Sequence, residues 1–455
     1  MKITSRRSFL LQSSALALGV SGCAPTTVSE RTTVAPAHPH TELTKSLVAI
    51  LNDAALPLAS LNVVALKRGS VVYAQAFGQQ HIGKGIAATT DSLYRIASIS
   101  KLITALGAMT LVDKGTLDFD RDIGDYLDYA VRNPHFPAVA ITARMLMCHT
   151  SSLRDEGGYF WEPPARLRDV LVPGGSLHGK GEMWARNAAP GAFFEYANLP
   201  WGVLGTVMER ISGERFDQFM SRVLFAPLSI EGGFHPFDFS PTVLSRTATL
   251  YRKRTMLGEK EVWNAAGPWV PQVDDYSEAS PAPRAKADYA TGSNGTAMSP
   301  QGGARISAKG LATLMQLLMN GGQVGGVRVL SERAVSQMLS EQWRFDATKK
   351  NGLSAYGDAA QLFNAWGLGV QQFTDVSGPS RGDRLVARGG FTAVGHMGDA
   401  YGLTSGFVFN PTSRDGMIFL SGGVGANPDT QRGAYSAMHR YEERIFTALH
   451  EGALR

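Results

Sequence analysis

Apolar positions recur along the chain with two different periods. Between about 42 and 55, Leu43, Leu47, Ile50 and Leu51 fall on one face at helical spacing, which predicts an amphipathic helix. Short apolar and β-branched runs at 61–66 and 71–77 flank Arg68, Gly69 and Ser70, the pattern of two strands joined by a short turn. Residues 101–114 read as a helix stopped by Gly115, and 200–211 and 216–224 read as two more, separated by Ser212 and Gly213. The stretch 120–195 is loop-rich with short helices. Helices are expected again at 307–319 and 332–339, around a glycine-rich turn that opens at Asn320. Strand candidates follow at 366–373, 404–410 and 416–421, with a closing helix at 434–449. Residues 229–303 hold no sustained period and carry Pro281, Pro283 and a Gly/Ser/Asn cluster. They read as a long irregular insertion, either a lid over a pocket or a surface elaboration. Strands at both ends with helices between predict an α/β fold: one sheet assembled from both termini, with flanking helices and an inserted helical lobe.

Composition narrows the picture. At 455 residues with 44% apolar and 18% charged positions, the chain can bury a large core and is not a disordered polymer. Its 50 glycines show no three-residue period, which removes a collagen-like reading. The formal net charge is +5, but Lys2, Arg6 and Arg7 supply three of those charges within a segment 1–23 that has no acid. The body therefore has no basic bias that would favour nucleic acid.

The first 23 residues read as an address. A basic start, a broken apolar run from Phe9 to Val20 and small residues at its end predict an export signal, too short and too polar for a membrane span. Arg6 and Arg7 resemble a twin-arginine signal, and Val20 to Cys23 resembles a lipoprotein box, which would make Cys23 the acylated mature N-terminus. Residues 24–41 suit a tether. The expected location is the bacterial cell envelope, in the periplasm, with a membrane as partner through a lipid at Cys23. Cys148 is the only other cysteine, so no internal disulfide forms if Cys23 carries lipid. Cys148 itself reads as a buried small hydrophobe.

Two apparent signals fail their context. Gly378 to Gly382 matches G-x-S-x-G, yet Pro379 and the glycines around it break the helix that a nucleophile elbow requires. The ten histidines show no metal-ligand spacing, and His149 reads as a structural residue closing a helix. No metal and no cofactor is called for.

Ser98-x-x-Lys101 stands where a helix begins, with the lysine one turn on and on the same face. There an amine can take the hydroxyl proton, and the free N–H groups of the helix start can meet a developing oxyanion. Taken alone, the spacing also fits a helix cap followed by a solvated lysine. Tyr196-x-Asn198, ahead of a helix, and His396-x-Gly398, ahead of a strand, change the balance. Together the three segments resemble the class C β-lactamase and penicillin-binding-protein superfamily of serine hydrolases, in which S-x-x-K, Y-x-N and K-T-G or H-x-G occur in this order. The resemblance covers about 42–450 and implies a β-lactamase-like fold with an antiparallel sheet and an all-helical lobe.

It also implies roles. Ser98 would be acylated, with Lys101 and Tyr196 as the proton-handling pair; Tyr196 would serve as base only if charge on Lys101 lowers its pKa. Asn198 would hold Lys101 and the substrate amide, and the amides of Ser98 and Asp399 would form the oxyanion hole. Where relatives bind a carboxylate through Lys and Thr of K-T-G, this chain has His396 and Met397, followed by Asp399 whose charge repels anions. These changes favour an esterase or amidase acting on a small molecule without a free carboxylate. A β-lactamase or D,D-carboxypeptidase, and an inactive binding member of the fold, are the alternatives.

Overall fold

The computed structural model describes residues 40–258, 260–282 and 289–455, which belong to one folded unit, His40–Arg455. The leader, Cys23 and the tether up to residue 39 lie outside the described residues. Helix α1 (Thr41–Leu51) buries Leu43, Leu47, Ile50 and Leu51, as its spacing predicts. Strand β1 (Ser60–Lys67) is buried at seven of its eight positions, so both its faces are covered. Its side chains sort by the strand period of two: Leu61, Val63 and Ala65 enter one apolar core, Val64 and Leu66 another.

Strand β2 (Ser70–His81) returns beside β1, and β3 (Ile86–Ala87) forms the edge. Strand β4 (Leu93–Arg95) leads into helix α2 (Ile99–Asp113), which is buried along almost its whole length. Helix α3 (Leu199–Ser212) ends at Gly213 in the left-handed conformation, so the predicted stop is real. Helices α4 (Ala308–Met319) and α5 (Glu332–Leu339) are capped by the hydroxyls of Ser307 and Ser331. Among the described residues no helix is long and apolar enough to cross a membrane.

The segment expected to be irregular contains an ordered hairpin and a third strand: β5 (Leu250–Leu257), β6 (Lys260–Trp263) and β7 (Trp269–Val273). Its outer half is solvated, so apolar alternation is weak and the sequence conceals the strands. The segment is bolted inward by Asp274, whose buried carboxylate takes Nη2 and Nε of Arg305 at 2.7 and 3.0 Å. Arg305 lies on β8 (Arg305–Ser307), which pairs with β4.

The chain then completes the sheet with β9 (Trp343–Arg344), β10 (Ala365–Trp366), β11 (Gln371–Phe373), β12 (Ala393–Ala400), β13 (Leu403–Asn410) and β14 (Asp415–Ser421). The nine strands run β9-β10-β11-β12-β13-β14-β1-β2-β3, each antiparallel to its neighbours. The two chain ends meet where Val63 faces Phe419 across β1 and β14. The expected strand 366–373 is instead a hairpin, because Gly367 to Val370 turn back through a 2.8 Å bond and Gly369 adopts φ +74°. The closing helix starts at Arg440, not 434: the Glu443 carboxylate takes the amides of Ala434 and Tyr435, holding that stretch as a loop.

Asp274→Ala would leave the Arg305 guanidinium buried without its counter-charge. The expected loss is about 3–5 kcal/mol, read from the urea midpoint, with much of it recovered in Asp274→Leu/Arg305→Met.

Candidate active site

Ser98 is placed by a short, over-determined connection. After β4, Ala97 takes φ +49°, a left-handed conformation that costs a non-glycine residue on the order of 1–2 kcal/mol. It is held by bonds on both sides: the Ile96 amide donates to Ala304 O at 3.0 Å, and the Ser100 amide to Ala97 O at 3.0 Å. Ser98 then caps α2 without using its side chain as the cap. Its Oγ is left facing Lys101, whose Nζ lies 2.9 Å away.

Lys101 is fully buried because α2 is buried on every side. Two further oxygens surround Nζ, Asn198 Oδ1 at 2.8 Å and Gln301 O at 3.1 Å. No carboxylate touches it, so burial brings its pKa down to about 7 against the opposing pull of Asp155. Asp155 acts one layer back. Its oxygens accept the Asn198 amide at 2.8 and 2.9 Å, Asn198 Nδ2 at 2.8 Å and the Leu199 amide at 2.9 Å. It thereby caps α3 and turns Asn198 Oδ1 toward the amine. No spacing signal in the sequence marks Asp155.

Tyr196 stands in an aromatic sandwich, His149 stacked at 4.5 Å on one face and Phe363 at 5.0 Å on the other. Lys101 Nζ sits 4.8 Å from its ring centroid, and its hydroxyl hydrogen-bonds Ser98. Desolvation raises the phenol well above its ordinary range, outweighing the Ser98 bond. The condition for Tyr196 to act as base, a phenol lowered by charge on Lys101, is therefore not met: burial dominates, and Tyr196 keeps its proton. His149, expected merely to close a helix, is the platform under Tyr196. Its Nδ1 accepts the Ala197 amide at 3.1 Å, and burial together with Lys101 keeps the ring neutral. Cys148 beside it is buried, and its thiol is pushed up to about 12.

Strand β12 brings the third segment across the front. The sequence places this stretch ahead of a strand, whereas residues 393–400 are themselves one, paired with both neighbours despite two glycines. His396 is buried; its Nδ1 lies 2.5 Å from Met397 O, and Nε2 has no hydrogen-bond partner among the described residues. Desolvation drops its pKa to about 3, so the ring is neutral and offers Nε2 as an acceptor. Gly398 is required by space: a Cβ there would lie 2.6 Å from Ile96 O and 3.2 Å from the Ser98 amide nitrogen. Asp399 turns its side chain to the His439 ring at 3.5 Å. Burial opposes charge on His439, but Glu442 and Asp399 overcome it and raise the imidazole above its usual value. The anion-repelling charge expected at Asp399 is therefore partly neutralised.

Two cavities meet at Ser98. One, of about 450 Å³, holds Tyr196, Phe363, His396 and Met397; the other, of about 570 Å³, holds Arg95, Asp155, Asn198 and Tyr401. Of the described residues in 229–303, Ser299, Gln301 and Gly302 line the second cavity, so the β5–β6 hairpin does not roof either. The structure thus gathers Ser98, Lys101, Tyr196, Asn198, His396, Gly398 and Asp399 at one place. Elsewhere Asp217, His235 and Asp238 approach one another closely enough for a cation, but Arg215 pairs with both carboxylates at 2.5 and 2.7 Å. Gly378 to Gly382 form turns with no following helix.

The chain is similar in sequence and fold to several known proteins. Penicillin-binding protein 4* of Bacillus subtilis (strain 168) is 30% identical over 173 residues, covering 36% of this chain and 35% of that protein. Protein flp of Staphylococcus aureus (strain N315) is 26% identical over 178 residues, 38% of this chain and 34% of the relative. The chain therefore matches about a third of the length of these relatives. The octameric penicillin-binding protein homologue from Pyrococcus abyssi has a TM-score of 0.61 at 20% identity, covering 91% of this chain and 77% of that one. The D-amino acid amidase from Ochrobactrum anthropi SV3, complexed with D-phenylalanine, has a TM-score of 0.58 at 16% identity, covering 90% and 97%. At such identities the likeness is one of fold. A family model described as Beta-lactamase matches residues 53–441. Spanning most of the sequence, that match places the chain in the Beta-lactamase family of serine hydrolases.

Proposed function

We propose that the protein is an esterase or amidase that works through an acyl group on Ser98, with a leaving group that carries no carboxylate. The observation that carries this reading is a buried amine, poised near neutral pH, 2.9 Å from the Ser98 hydroxyl at the meeting point of two cavities. Neutral Lys101 takes the Ser98 proton while Oγ bonds to the carbonyl carbon. The amides of Ser98 and Asp399 receive the oxyanion, a contribution of a few kcal/mol in such sites. As the carbon–oxygen or carbon–nitrogen bond breaks, Tyr196 hands its proton to the departing alkoxide or amine and is reprotonated from Lys101. Water then attacks the acyl-serine by the reverse sequence, releasing the acid and restoring the hydroxyl.

The leaving group departs on the Tyr196 side, since Tyr196 lines the smaller cavity and not the larger. There a neutral His396 and apolar Met397 offer an anion no positive partner on β12, and the other basic groups of that cavity, Arg432 and His439, are paired with Asp429 and Asp399. This supports esters and amides over penicillins and D,D-peptides. The leader supports an exported enzyme tethered to a membrane through Cys23.

Four outcomes are expected. Incubation with 4-nitrophenyl butyrate should add the acyl mass to the Ser98 peptide, and Ser98→Ala should lose roughly 10³-fold or more in turnover. Nitrocefin should be cleaved far more slowly than the ester; efficient nitrocefin turnover would overturn the preference. The kcat/KM for a neutral ester should rise about tenfold per pH unit up to about 7 and level off above, because Lys101 is an ammonium below that pH and a free base above it. A rise that continues to well above pH 10 would instead assign the base to the Tyr196 phenolate. In cells, labelled fatty acid should appear on the full chain and vanish in Cys23→Ser.

A further inference from the structure

Arg95 ends β4 three residues before the nucleophile and is only 8% exposed, yet it lines the larger cavity together with Ser98 and Asn198. Its immediate contacts use little of it. Nε donates to Gly302 O at 3.1 Å, and the flat face of the guanidinium rests 4.6 Å from the Tyr401 ring centroid. Among the described residues no hydrogen bond engages its two terminal nitrogens, and a planar fork carrying four N–H donors lines a cavity of about 570 Å³.

Its counter-charge is shared: Asp274 acts on Arg95 through space while bonding Arg305. Arg305 sits directly opposite across the β4–β8 pair, and it already claims the nearby carboxylate of Asp274 with two bonds. Two other carboxylates line the cavity. Asp155 is committed to the start of α3 and to Asn198, and Asp399 faces His439. A buried guanidinium beside a second guanidinium is costly when nothing accepts from it. The group that would repay that cost is a planar oxyanion delivered by the substrate.

We infer that Arg95 forms a carboxylate subsite for the acyl half of the substrate. The assignment to the acyl half follows from Tyr196, the proton donor to the leaving group, which lines the other cavity. The proposal rests on the Ser98 acyl-transfer reading. It confines the carboxylate-free expectation to the leaving group, and it names half-esters or half-amides of dicarboxylic acids as substrates.

The test compares 4-nitrophenyl half-esters of adipic and suberic acid with their methyl-capped counterparts. In the wild type, kcat/KM should favour the anionic ester by about tenfold or more, chiefly through KM, and the preference should weaken with added salt. In Arg95→Gln the ratio should collapse toward one; Arg95→Lys, a point charge without the fork, should keep part of it. General damage to the fold would lower both esters alike and leave the ratio intact, and that result would overturn the subsite. So would a wild type without the preference. A second reading needs no turnover: adipate or suberate should bind Ser98→Ala in calorimetry and fail to bind Ser98→Ala/Arg95→Gln. If neither ester is hydrolysed and Ser98 takes no acyl group, the acyl-transfer reading falls and the subsite falls with it. Turnover with an unchanged ratio defeats the subsite alone.

Discussion

The site depends on an amine kept dry. Lys101 has three oxygens around it and none is a carboxylate, so the protein stabilises its neutral form about as well as its charged one. Moving a lysine from 10.5 to about 7 corresponds to a differential on the order of 5 kcal/mol, borne by the fold. The sign follows from proton counting: between those two pH values the unfolded chain binds the proton and the native one does not, so stability rises with pH across that window. The cost is fully present below about 7 and is relieved as pH climbs through the unfolded value. Helix α2 is covered on every side because the sheet, α3 and α5 pack around it, and a solvated helix would leave the same lysine an ordinary cation.

Every other feature keeps that amine next to a hydroxyl. The left-handed Ala97 turns Ser98 onto the helix start, and Gly398 lets β12 approach the same backbone. The aromatic stack of His149, Tyr196 and Phe363 holds the phenol protonated above Lys101. These pieces come from residues about a hundred positions apart. They converge only when β1, from the beginning of the folded unit, pairs with β14 near its end.

What the sequence discloses follows from the range of the interaction. The Ser98–Lys101 spacing is one helical turn, a local geometry, and it reads directly. Helix α1 and the Ser212–Gly213 stop are local as well. Strand β12 is hidden because Gly395, His396 and Gly398 have little strand preference, and the sheet on both sides imposes their conformation. Asp155 and Phe363 are ordinary residues in loops whose importance lies in what folds onto them. The phenol's protonation state is the sharpest instance: charge on Lys101 looks able to lower it until burial is seen to raise the phenol and to bring the lysine down to about 7.

The two cavities differ in charge for the same reason. On the β12 side, a histidine is buried so thoroughly that it stays neutral, while on the β4 side an arginine is equally enclosed but cannot shed its proton. Burial therefore erases charge where the residue can titrate and strands it where it cannot. A substrate with one neutral end and one anionic end would satisfy both cavities at once, its carbonyl resting between them at Ser98. A lactam with its carboxylate on the leaving side would meet neutral His396 and Met397, with Arg432 and His439 of that cavity already paired to Asp429 and Asp399, and leave the guanidinium unanswered. On the proposed subsite, the direction in which a substrate lies follows from which basic side chain can lose its charge.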